Sequence, residues 1–124
     1  MMNSMVGLRR KHKGDSGWLD REMPAPQFHP SRAAAFAYMG FMRQLIRDSG
    51  VQLRKGDGLD FCHAVMATSF ATFAALDKQW KRRVENLPKP NQAARIYYEP
   101  ELDAMVTDIE IALRELKRRA AAQS

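Results

Sequence analysis

Residues Gly56–Trp80, GDGLDFCHAVMATSFATFAALDKQW, decide how this chain is read. Asp57 and Asp60 open the stretch, an apolar segment follows, and Asp77 closes a second apolar segment. The first segment, from Asp57 or Gly58 to about Thr68, predicts a helix. Phe61, Val65 and Thr68 or Ser69 mark one face, and Cys62, Ala64, Met66 and Ala67 fill most of the rest. A helix apolar nearly all round is expected to be buried. Thr72–Leu76 is uncharged and β-capable, so it predicts a short strand with Asp77 just beyond its end. Acids at the ends of such segments gather on one rim of a parallel sheet, where ligands bind outside the carboxyl ends of the strands. Grouped carboxylates suit hard divalent cations such as Mg²⁺ or Mn²⁺. Paired ions of that kind drive phosphodiester hydrolysis. The stretch therefore points to a metal-dependent nuclease site, of which it carries a part.

Upstream, Ser31–Ser49 predicts a helix with Ser31 as its N-cap and Gly50 as its stop. Ala35, Met39, Met42 and Ile46 form its apolar stripe, while Arg32, Arg43 and Arg47 lie away from it. A loop over Val51–Gly56 joins it to the decisive stretch. Downstream, Lys78–Asn86 predicts a helix broken by Pro88 and Pro90, and Ala94–Tyr98 a second strand. Leu102, Met105, Val106, Ile109, Ala112, Leu113 and Leu116 then follow the 3.6-residue helical period. Acids crowd the start of that last helix and Lys117, Arg118 and Arg119 its end, which complements the helix dipole. Two strands separated by a helix are parallel, joined by a right-handed crossover. The expected fold class is α/β, helix-dominated, with a short parallel sheet over residues 30–120. Residues 1–29 are basic, rich in Gly and Pro and without periodicity, so they read as a poorly ordered arm. Trp18, Leu19, Met23 and Phe28 give that arm the means to dock.

A length of 124 residues bounds the chain to one domain, and a net charge of +6 favours an acidic partner. The positive charge concentrates at Arg9–Lys13, Lys81–Arg83 and Lys117–Arg119, a pattern that suits a nucleic-acid partner and that short solvated helix ends also produce. The single Cys62 excludes an intrachain disulfide or a cysteine zinc site, which suits a reducing cytoplasm. No apolar run approaches the roughly 20 residues of a membrane span, so no membrane association is expected.

Several residues carry candidate chemistry, each beside a plainer role. Asp57 and Asp60 share one side of a first helical turn, as metal ligands or as a cap and a dipole-complementing acid. His63, one turn on, is placed to bond Asp60 or a backbone carbonyl and so orient the site, beside the plainer role of a satisfied core histidine. Asp77 is a third ligand at the strand end, the N-cap of the next helix, or both at once. Lys78, Lys81, Arg82 and Arg83 beside Trp80 suit a nucleic-acid backbone with a stacked base, or a solvated face over a half-buried Trp. Gly-rich phosphate loops, nucleophile elbows and HExxH motifs are absent from the sequence.

The run Asp60-Phe-Cys-His63-Ala-Val-Met-Ala, followed by the apolar segment ending Leu76-Asp77-Lys78, resembles the carboxyl-terminal half of PIN-domain proteins. Arg95–Tyr98 and the closing amphipathic helix look like the end of the same fold. The resemblance implies an α/β fold related to Mg²⁺- or Mn²⁺-dependent endoribonucleases, frequently the toxins of toxin–antitoxin pairs. By position, Asp60 matches the family's third acid and Asp77 its fourth, which makes them the implied catalytic residues, with Asp57 an accessory ligand. The opening strand and first acid of the family have no match before Asp15 or Asp20, and Glu22 is a weak match to its second acid. The chain thus reads as an amino-terminally shortened PIN-like domain of impaired activity, or as a non-enzymatic RNA-binding or protein-interaction module on the same scaffold. A missing opening strand would leave a sheet edge bare, so a homodimer or a protein partner is expected to cover it.

Overall fold

The computed structural model describes Gly7 and residues 17–48 and 56–123. The basic run Arg9–Lys13 and the Gly50 stop lie outside the described residues. The chain folds as α1 (Trp18–Glu22), a 3₁₀ turn (Pro30–Arg32), α2 (Ala33–Arg47), α3 (Asp57–Phe70), β1 (Phe73–Ala75) and α4 (Lys78–Glu85). There follow β2 (Arg95–Tyr97), a second 3₁₀ turn (Glu99–Glu101) and α5 (Leu102–Gln123). β1 and β2 pair in parallel with Phe73 opposite Arg95, Ala74 opposite Ile96 and Ala75 opposite Tyr97. The result is the helix-dominated α/β class expected, with α4 as the crossover.

α2 begins differently from its sequence reading. Pro30-Ser31-Arg32 tightens into a 3₁₀ turn, which moves the cap back to His29, whose Nδ1 accepts from the Ser31 backbone N–H at 3.2 Å. Pro30 suits this first position because it has no N–H to satisfy. The Ala-rich body of α2 then continues without a breaker until Arg47.

Three helices meet in an aromatic core. Phe41 of α2 and Phe61 of α3 are fully buried, and Trp80 of α4 packs edge-on to both, with ring centroids 5.3 and 6.0 Å away. Edge-to-face rings at this spacing favour one another beyond their buried area, by about 0.5–1.5 kcal/mol per pair. Gly40 lies where α2 meets the segment after α4, and a methyl group there would collide with the buried Leu87 side chain. Gln44 fixes the same pair of segments by donating to the Arg83 carbonyl at 2.9 Å.

Residues 17–28, assigned from sequence to the arm, belong to the folded body. Trp18 and Leu19 join the core, and Met23 and Phe28 pack against it. Apolar burial of Trp18 and Leu19 offsets much of the ordering cost of the short helix, and Arg43 and Arg47 add polar links from α2 to Asp20 and the Met23 carbonyl.

α3 also departs from expectation, because it is not buried all round. Phe61, Ala64, Val65 and Thr68 face the core, while Leu59, Cys62, Met66 and Phe70 are exposed. Among the described residues, α3 packs chiefly on α2 and β1 and touches α4 through the Phe61–Trp80 rings, and these contacts use its Phe61–Thr68 face.

Candidate functional site

The acids of the decisive stretch fall at two helix entries. Asp57 and Asp60 lie in the first turn of α3, and Asp77 follows β1 as the N-cap of α4. The Phe61–Trp80 ring contact joins the start of α3 to the start of α4, so Asp60 and Asp77 stand at neighbouring helix entries. Asp77 is committed to its cap: its Oδ1 accepts from the Trp80 backbone N–H at 2.9 Å. Asp57 does not cap α3, whose N-cap is Gly56 with no side-chain bond; both acids instead sit where the helix dipole favours negative charge.

His63 was expected to support the site by bonding Asp60 or a backbone carbonyl. Both side chains are exposed, and no hydrogen bond joins them among the described residues. An i, i+3 pair on a solvated helix turn has water as a competing partner, so proximity alone does not fix it. Among the described residues, no three His, Cys, Asp or Glu side chains gather at a point that would hold a metal ion. Of the three carboxylates singled out, Asp57 and Asp60 share a first helical turn, and Asp77 has one oxygen engaged by its helix cap.

The basic residues after Asp77 divide by role. Lys78 is exposed. Lys81 is engaged within the fold: its ammonium pairs with Glu101, lies 3.8 Å from Glu85 and sits over the Tyr98 ring. The hydrogen bond that Lys81 donates to Glu101 raises the Lys81 pKa and lowers that of Glu101, so the pair ties α4 to the turn that starts α5. Trp80 is buried in the core and has Arg83 stacked over its ring at 4.4 Å. No base can stack on a ring placed this way.

Arg82 and Arg83 instead meet two arginines from another helix. A cavity of about 470 Å³ between the carboxyl-terminal halves of α2 and α4 is lined by Arg43, Arg47, Arg82 and Arg83, with Asp48 and Gln79. None of Asp57, Asp60 and Asp77 lines it. Its floor is braced. Arg43 donates to the Met23 carbonyl at 2.9 Å and pairs with Asp20, while Arg47 reaches the same Asp20 oxygen at 2.8 Å. Four guanidiniums stand against the carboxylates of Asp20 and Asp48, so the groove keeps a positive balance. The sequence reading set Arg43 and Arg47 aside as a solvated face. The usable signal was their i, i+4 spacing in line with Gly40, the residue that lets the next segment approach.

No protein-family model, curated protein or solved structure matches the chain. No helix among the described residues is long and apolar enough to cross a membrane.

Proposed function

We propose that this chain is a non-catalytic RNA-binding protein on a PIN-like scaffold, which holds the phosphate backbone in the groove between α2 and α4. The observation that carries the reading is the convergence of Arg43, Arg47, Arg82 and Arg83 on one cavity. Guanidinium groups bind phosphate bidentately, and the exposed Arg47 and Arg82, on two helices and backed by the braced Arg43 and the stacked Arg83, match a short length of backbone better than one helix alone does. The buried Trp80 removes the stacking platform that base recognition uses, so binding is directed at the backbone and tolerant of sequence. The resemblance of Asp60–Asp77 to the metal-dependent ribonucleases favours RNA over other polyanions. The capping role of Asp77 favours binding over cleavage.

Fluorescence anisotropy with a labelled single-stranded RNA tests this directly. Affinity should fall steeply with salt, and Arg82→Ala should weaken it several-fold and reduce the salt slope by about one. Incubation of the same RNA with Mg²⁺ or Mn²⁺ should leave it intact. Cleavage that disappears in Asp60→Asn would overturn the non-catalytic reading, and binding indifferent to Arg82 and Arg47 would overturn the groove.

A further inference from the structure

We infer that the outer face of α5 is an interface for a second copy of this chain, packed antiparallel about a two-fold axis. α5 is the longest helix described, 22 residues, yet none of its residues is buried. Its apolar arc is covered along one edge only: Met105, Ile109 and Ala112 are half-buried, whereas Leu102, Val106, Leu113 and Leu116 are exposed by 43, 55, 52 and 61%. Leu102, Val106, Ile109, Leu113, Leu116 and Ala120 alternate by four and three residues, the spacing of a helix-to-helix seam. Ile111 lies off that line.

Charge selects the occupant and its direction. The positions flanking the seam on one side are Asp103, Glu110 and Lys117, acidic at the start of the helix and basic near its end. A parallel copy would set Glu110 and Lys117 beside the partner's Met105 and the partner's Ala112, with no opposite charge to meet, and would align the two helix dipoles side by side. An antiparallel copy sets Leu102 against the partner's Ala120, Val106 against the partner's Leu116 and Ile109 against the partner's Leu113. In that register Asp103 meets the partner's Lys117, and the two helix dipoles oppose each other. Glu110 faces its own copy at the axis, the one like-charge contact in the arrangement. The other exposed apolar face, Leu59, Met66 and Phe70 on α3, offers no such selection, because α3 contains neither Lys nor Arg to complement its acidic start.

Sedimentation velocity of the full chain at tens of micromolar should give a dimer. Leu113→Glu should weaken association by about a hundredfold, since it places a charge in the centre of the seam. Its circular dichroism should stay that of the parent, because the residue is exposed in the single chain. Phe70→Glu should remain dimeric. In a Cys62→Ser background, Glu110→Cys should cross-link to its own copy and Ala120→Cys should not. A monomeric parent, a dimer broken by Phe70→Glu but not by Leu113→Glu, or self-cross-linking through Ala120→Cys would overturn the interface or its direction.

Discussion

The α2–α3–α4 junction and α5 are built from similar apolar material but are attached to the fold by different forces. At the junction, Phe41, Phe61 and Trp80 exclude water completely or nearly so, and the helices approach closely enough that position 40 has no side chain. α5 touches the body at the β1 side and is held by polar links at its start: Tyr97 donates to Asp108 at 2.6 Å, and Lys81 pairs with Glu101 in the turn before it. A helical hydrophobic period therefore identifies a helix that must be covered. It does not identify what covers it.

The largest expected effect follows from that contrast. Phe61→Ala should cost about 3–5 kcal/mol in denaturant unfolding, the range for removing a fully buried aromatic ring. Leu113→Ala should cost under about 0.5 kcal/mol at protein concentrations below dimer formation, as surface substitutions do. Its cost should then grow with concentration as α5 becomes covered. Equal losses at all concentrations would erase the distinction between the two regions.

Gly40→Ala comes next. The added methyl meets Leu87, which is itself buried and has little room to turn away. Overpacking of this kind costs about 1–3 kcal/mol, against the fraction of a kcal/mol that Ala gains over Gly in a helix. Melting curves of Gly40→Ala and Leu87→Ala, alone and combined, would separate the collision from the propensity gain. A stabilised Gly40→Ala would show that the junction gives way more easily than its packing indicates.

The elements were legible in the sequence wherever one cause set them. The parallel β1–α4–β2 unit follows from an uncharged run, a capped helix and a proline-broken connection, and each boundary moved by only a residue or two. The start of α2 moved because Pro30 allowed a 3₁₀ turn and handed the cap to His29. Burial was harder to read, since it depends on which elements compete for a surface. Trp18 and Leu19 were taken inside, and Leu59, Met66 and Phe70 were left outside. For the candidate site, the two helix entries carrying Asp60 and Asp77 were visible from spacing. The arginine groove was not, because it joins residues about forty apart that local periodicity cannot relate.

Asp77 separates capping from chemistry at a smaller energy. Asp77→Ala should cost about 1 kcal/mol through loss of the bond to the Trp80 N–H, and Asp77→Ser or Asp77→Asn should recover most of it. Asp60→Asn should change stability by only a few tenths, as expected for an exposed acid in a first helical turn. Asp77→Asn retaining both stability and RNA affinity would confine this residue to its structural role.

The smallest effect expected is a loosening of α5 at both ends of the pH range, with the junction unaffected. Glu101 has its pKa lowered by the bond from Lys81, so its contribution is present above the ordinary carboxylate value and is lost as pH falls through the lowered one. Tyr97 has its pKa raised, first by its bond to Asp108 and then by desolvation. Lys81 is raised by Glu101. Those contributions are complete below about pH 10 and are lost as pH rises through the raised values. Hydrogen exchange of α5 amides should therefore be slowest between the two limits, with Phe41 and Phe61 protected throughout. Tyr97→Phe should remove its part of the alkaline loss while leaving the acid side unchanged, because the Glu101–Lys81 pair is intact in that variant. Lys81→Met should flatten the acid side and remove the Lys81 part of the alkaline loss, leaving that of Tyr97. Alkaline exchange that accelerates equally in α5 and in α2 would mean that the polar links hold the whole body rather than the last helix.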